Sequence, residues 1–194
     1  MARLMGVLGL VTALCVATSA QATVHSQTSY NYFAVRGKTS REIYINLTAR
    51  GPSAGGADAM ATTNVSLSQH ALLSSGSSCR MENFSANLTF KINLPRLQNA
   101  AALAPAARRS WSQFSSTLKA HEEHHRAIWI ACAHDLSTQV MSIKAGPCAS
   151  FKASYTAISK TVLAQCKAKN RAFDAAEGVR FLTTPFIRQV AVGN

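Results

Sequence analysis

From Trp111 to Leu136 the core-facing positions recur at spacings of three and four: Trp111, Phe114, Leu118, His121, His125, Ile128, Cys132 and Leu136. A helix of 3.6 residues per turn gathers such a run into one continuous stripe, which a strand of period two cannot do. This part of the chain is therefore committed to a long amphipathic helix. Pro105 suits its first turn, where a missing backbone donor costs nothing, and the pattern continues to about Lys144 before Gly146-Pro147 signals a stop.

His121 and His125 stand out because they occupy positions where a core-facing helix ordinarily carries Leu or Ile. Within His121-Glu122-Glu123-His124-His125 they form H-E-x-x-H. One turn apart on the same face, they can present two imidazoles to one metal ion. Glu122 lies beside them, placed to take a proton from a water that the metal activates. The competing reading is a buried histidine pair held by hydrogen bonds, which demands a partner for each ring nitrogen. His124 points to a neighbouring face and reads as solvated or as a support for the ligands. His134, nine residues beyond His125, is half a rotation away and is excluded as a ligand. His25 and His70 are isolated and read as surface residues.

Past Gly146-Pro147 a second stripe follows, made of Phe151, Tyr155, Ile158, Val162 and Cys166. Two amphipathic helices on a short connection favour an antiparallel hairpin. Equal rise per residue then places residue n roughly opposite residue 295 minus n. That register brings Asp174 level with His121 and Asn170 level with His125. Asp174 is the expected third metal ligand, an oxygen donor completing a site that keeps one position open, and Glu177 is the alternative on the same stripe. The same register puts Cys166 within about one turn of Cys132, so the expected bridges are Cys132 with Cys166 and, by what remains, Cys79 with Cys148. No C-x-x-C spacing argues for thiolate metal ligands, and no G-x-S-x-G offers a serine nucleophile.

The half of the chain before Pro105 reads as strands with one short helix. Thr28 to Val35 is rich in Tyr, Phe and Val and reads as a strand ended by Gly37. Thr39-Ser40-Arg41-Glu42 matches a capping box for a short helix with Ile43 and Leu47 inward, stopped by Gly51-Pro52. Ser53 to Asp58 is a glycine-rich loop lacking the Gly-Lys-Ser/Thr of a phosphate loop, and Ala59 to Gln69 is a second strand. The clearest strand has Phe84, Ala86, Leu88, Phe90, Ile92 and Leu94 alternating with polar residues, closed by Pro95. The tail from Gly178 to Asn194 carries no chemical signal. The expected fold is α+β: a small antiparallel sheet with a short helix, followed by a long antiparallel helical hairpin carrying H-E-x-x-H.

Arg3 precedes an apolar run from Leu4 to Ala17 that ends in Ala20-Gln21-Ala22, the pattern of a secretory signal peptide over residues 1–22, cut after Ala22 or after Ala20. Residues 23–194 then form a single domain of ordinary size. The apolar run is too short for a membrane span, and Leu14-Cys15 is a poor lipid-attachment site, so the expected location is secreted or periplasmic. An exported chain with four cysteines after its leader favours disulfides. The net charge of +12 suggests association with anionic envelope surfaces. Apart from Arg108-Arg109 the basic residues are dispersed and not interleaved with aromatics, which argues against specific nucleic-acid binding.

Several segments together resemble a bacterial family known as domain of unknown function 922. They are Tyr32-Phe33-Ala34-Val35 with Gly37-Lys38-Thr39, then Ala49-Arg50-Gly51-Pro52, then Leu94-Pro95-Arg96, Trp111 and Phe114 before the motif, and Cys148 and Phe173-Asp174 after it. Members are described as secreted zinc-dependent proteases, so the resemblance implies Zn2+ as cofactor and a peptide or protein substrate. They typically read H-E-x-G-H, where this chain has His124 in place of the glycine. Near the end of the last helix they tend to show Tyr-Asp, a Thr and a His-Gly pair, whereas Phe173-Asp174-Ala175-Ala176-Glu177-Gly178 has no histidine. The sequence thus supports a zinc peptidase with His121, His125 and Asp174 as ligands and Glu122 as general base. The alternative is a non-catalytic exported protein in which the same residues hold a structural metal or a buried histidine network.

Overall fold

A computed structural model describes residues 21–54, 57–74, 76 and 78–192. The segment read as a signal peptide lies outside them except for Gln21 and Ala22. In chain order the elements are β1 (Gln21–Val35), α1 (Ser40–Arg50), β2 (Ser53–Ala54), β3 (Ala57–Asp58), β4 (Thr62–Ser74) and β5 (Arg80–Leu97). A single 3-10 turn (Ala100–Ala102) leads to α2 (Pro105–Met141), α3 (Cys148–Leu182) and α4 (Pro185–Ala191). The architecture is α+β, a small sheet followed by long helices. Among the described residues no helix is long and apolar enough to cross a membrane.

The main sheet has the order β1-β5-β4, with β2 and β3 as a separate small hairpin. The sheet is mixed rather than wholly antiparallel: β4 runs antiparallel to β5, but β1 lies parallel to β5 from Gln21 opposite Asn83 to Val35 opposite Leu97. Alternation in a sequence reveals which face of a strand is buried and says nothing of its direction. A parallel pair needs a long crossover, which the α1-to-β4 segment supplies. β5 is the central strand, and Phe84, Ala86, Leu88, Phe90, Ile92 and Leu94 are all buried. Pro95 does not end it. Pairing with β4 stops at Asn93 opposite Thr62, so Pro95 lies where β5 has only β1 beside it and a missing donor is tolerated.

At the start of α1 the Thr39 hydroxyl accepts from the Glu42 amide at 3.2 Å, while the Glu42 carboxylate accepts from the Lys38 amide at 2.7 Å. The cap is therefore reciprocal but reaches one residue further out than the simple box. Gly51 follows the helix with extended backbone, and its role is close approach: a Cβ there would stand 2.0 Å from the Ala59 carbonyl oxygen.

Two hydrophobic clusters flank the motif. One joins Val35, Ile43, Leu47, Ile92, Leu94, Trp111, Phe114, Leu118 and Phe186. The other joins Phe84, Leu88, Phe90, Cys132, Leu136, Val140, Phe151, Val162 and Cys166. Along α2 the first takes the turns before His121 and the second the turns after His125. The polar group therefore interrupts the apolar stripe and divides the core. Two disulfides tie the second cluster: Cys132 is bonded to Cys166 across α2 and α3, and Cys79 is bonded to Cys148. Beside the latter, Cys79 and Gly146 exchange backbone hydrogen bonds of 2.8 and 3.1 Å, which fixes the helical connection to the head of β5.

Candidate metal centre

On α2 the side chains of His121 and His125 project toward α3, where Asp174 meets them. His125 Nε2 lies 2.8 Å from Asp174 Oδ1, His121 Nε2 lies 3.3 Å from the same oxygen, and the two Nε2 atoms are 3.1 Å apart. Donors about 2.1 Å from a tetrahedral ion stand about 3.4 Å from one another. The triangle is thus close to the size that such an ion requires, and its donor types are those zinc takes. These three residues could hold a metal ion. Both imidazoles are mostly buried, at 13% exposure, while the Asp174 side chain is 55% exposed, so the group is open on one side.

The His125 ring is bracketed by two acceptors on α3, Asn170 Oδ1 at Nδ1 and Asp174 Oδ1 at Nε2. Asn170 Nδ2 donates to the Cys166 carbonyl at 2.9 Å, which orients the amide and leaves Asn170 Oδ1 facing His125 Nδ1 at 2.7 Å. An amide oxygen only accepts, so Nδ1 donates to it, while Nε2 on the other side of the ring faces the Asp174 carboxylate and His121 Nε2. His121 differs: its Nδ1 is buried without a partner. Burial and then the adjacent His125 hold the His121 ring below the ordinary imidazole range, against the opposing pull of Asp174 and Glu177.

Glu122 is buried, at 4% exposure. The Thr63 hydroxyl on β4 lies 2.7 Å from its Oε2 and is its hydrogen-bond donor. Burial pushes the carboxyl above its ordinary range, and the Thr63 bond opposes that rise. Glu123, the other acid of the motif, turns away: it accepts from the Tyr30 hydroxyl of β1 and pairs with Arg126 at 2.9 Å. A cleft of about 610 Å³ collects the relevant groups, lined by His121, Glu122, His125 and Asp174 and by Thr62, Thr63 and Val65 of β4.

Phe173 is wedged among the histidines. Its ring stacks on His121 with centroids 4.8 Å apart and on His124 at 4.1 Å, and meets His125 edge-on at 5.1 Å. His124 is exposed and stays outside the group, so the departure from H-E-x-G-H leaves the donor triangle untouched. Glu177 also stays outside, its carboxylate paired with Arg180 at 3.0 Å. His25, His70 and His134 are exposed. Sequence reasoning missed Thr63 and the packing role of Phe173. Nothing local to Thr63 marks it, because only the pairing of β4 with β5 brings it over the motif helix. Phe173 lies one residue before Asp174, on the stripe that carries Cys166, and that periodicity could have found it.

Fold and site together define an α+β domain whose disulfide-tied helical hairpin holds a two-histidine, one-carboxylate group beside a buried glutamate. The chain belongs to the DUF922 family, described as bacterial protein of unknown function, whose model matches residues 30–180. No curated protein and no solved structure matches the chain.

Proposed function

We propose that this chain is an exported zinc-dependent peptidase, with His121, His125 and Asp174 as the metal ligands and Glu122 as general base. The observation that carries the proposal is the convergence of three donor atoms, 2.8 to 3.3 Å apart, in the cleft that also contains a buried carboxylate. Zinc bound there supplies a Lewis acid that polarises a carbonyl and makes water acidic near neutral pH. The chain's own residues do the rest. His125 offers Nε2 from a ring that Asn170 holds at Nδ1. Glu122, its carboxyl held above the ordinary range by burial, can take a proton from the attacking water and return it to the leaving amine. Thr63 steadies the charged form of that carboxylate between the two transfers. Export is supported by the leader-like pattern of residues 1–22 and by the two disulfides.

A second reading, a non-catalytic exported protein with a structural metal, draws on the bond that occupies Glu122 and on the exposure of Asp174. Elemental analysis of the purified protein and a peptide-library hydrolysis assay separate the two. The peptidase reading expects about one zinc per chain, and loss of cleavage in Glu122→Gln with zinc retained, by at least the ~10²-fold typical of removing a general base. Zinc content without hydrolysis, or hydrolysis unchanged in Glu122→Gln, refutes the assigned chemistry.

A further inference from the structure

The apolar stripe of α2 stops at the donor group and resumes beyond it, and both halves surface in the same cleft. One turn before Glu122 stands Leu118, which shares the first hydrophobic cluster with Met60 and Phe181, and all three line the cleft. One turn after His125 stands Trp129, which packs with Val65 of β4 against the second cluster, and both line the cleft as well. Leu118 is buried and the other four are partly exposed, so each cluster offers apolar surface to whatever enters. Leu118 and Trp129 stand about 16 Å apart along the helix at its rise per residue, with His121, Glu122 and His125 between them. An extended chain covers that span in about five residues.

Charge sharpens the picture. The chain carries 20 Lys and Arg, yet none is among the described residues that line this cleft. The carboxylates lining it are Glu122 and Asp174, both at the centre, where a bound dication would balance them. A charged side chain seated at either apolar end would lose its water and find no partner, while an apolar one would gain by burial.

We infer that the cleft selects an extended peptide segment with two apolar side chains about five residues apart. One seats against Trp129 and Val65, the other against Leu118, Met60 and Phe181, and the backbone between them crosses the donor group. Side chains of this kind face the core of a folded protein, so the segment comes from an unfolded or flexible chain. The inference rests on the peptidase reading for the fate of the bound peptide, but the selectivity belongs to binding and is measured without metal or cleavage.

The test titrates the full chain, in chelator, calorimetrically with end-blocked peptides of about eight residues, built of Ala, Gly and Ser around two Leu anchors. Binding should be tightest with the anchors about five positions apart. Asp or Lys in place of either Leu should weaken it by about tenfold or more, the scale on which burial of an aliphatic side chain acts. Trp129→Ala should make one anchor position indifferent and Met60→Ala the other, each leaving discrimination at the far end intact. Should Trp129→Ala fail to fold, Met60→Ala at the opposite end decides. Peptides with Asp or Lys anchors that bind as well as Leu, or discrimination unchanged in the folded variants, overturn the inference, as does failure of every peptide to bind. Selective binding with no cleavage of any of these peptides by the zinc-loaded wild type refutes the peptidase reading and leaves the site standing. Cleavage blind to the anchors does the reverse.

Discussion

Thr63 Oγ1 lies 2.7 Å from Oε2 of Glu122 and 3.0 Å from the backbone carbonyl of the same residue. One hydroxyl proton serves both oxygens, and the carboxylate, when charged, is the stronger acceptor. The bond joins the edge strand of the sheet to the motif helix at the residue proposed to move protons. It stabilises the ionised carboxylate and so holds down a pKa that burial pushes up. Thr63→Val keeps the shape and removes the donor. The Glu122 carboxyl then rises further, the fraction ionised at a given acidic pH falls, and the acid limb of kcat/KM moves to higher pH. A pH–rate profile for the variant checks this, and a limb that stays in place or moves down contradicts it.

Burial of Glu122 has a consequence for stability that needs no metal and no substrate. Its folded pKa lies above the ordinary value of 4.5, so between those two values the native state binds more protons than the unfolded chain does. Stability contributed by the neutral carboxyl is fully present below the ordinary value and is lost as pH rises through the folded pKa. Glu122→Gln is neutral at every pH and escapes that loss. Metal-free Glu122→Gln should therefore melt above the wild type at neutral pH, and the gap should close on acidification below the ordinary carboxylate range. Thermal unfolding of both proteins in chelator across that range reads the difference. A gap independent of pH would mean that burial does not tax the charged form.

Asp174 and Glu177 lie on consecutive parts of α3, yet only Asp174 reaches the histidines, while Glu177 is held by Arg180. Asp174→Ala should lower zinc affinity by more than the ~10–100-fold that loss of a residue behind a ligand costs. Glu177→Ala should change it by a few-fold at most. Titration of the metal-free proteins with zinc distinguishes them, and the reverse ranking would transfer the third position to Glu177.

The motif helix was legible because a 3.6-residue period over many turns has one interpretation, and the hairpin partner followed from Gly146-Pro147 and a second stripe. Register arithmetic alone brought Asp174 level with His121 and Asn170 level with His125, since both helices rise equally and the connection is short. The direction of β1 was not legible, because Thr28 to Val35 carries the same pattern whether parallel or antiparallel to its neighbour. The packing of the tail was not legible for a different reason. Phe186 is fully buried, stacked on Phe114 with centroids 4.6 Å apart, and the Gln189 side-chain oxygen accepts from Ser40 and Ser110, each at 2.8 Å. A seven-residue helix is too short to show a period, and its partners lie far away in the chain. Thr63 belongs to the same class: its meaning comes from a strand pairing that no local pattern announces.

The two disulfides should separate stability from site geometry. Cys79–Cys148 spans 69 residues of sequence and Cys132–Cys166 spans 34. Chain entropy assigns each about 4 kcal/mol through restriction of the unfolded chain, with the longer loop slightly ahead. They differ in what they hold in the folded state. Cys79–Cys148 fastens the helical connection to the start of β5, far along the helices from His121. Cys132–Cys166 fixes α2 against α3 about two turns from His125, and the carbonyl of Cys166 orients Asn170. The double variant Cys79→Ala/Cys148→Ala should therefore lower the melting temperature while the folded protein binds zinc as before. Cys132→Ala/Cys166→Ala should lower both the melting temperature and zinc affinity, because the register that brings Asp174 to the histidines loses its nearest covalent restraint. Zinc titration of each variant well below its own melting temperature, with folding checked by circular dichroism, provides the comparison. Equal zinc affinity in the two variants would show that packing between α2 and α3 sets the register by itself.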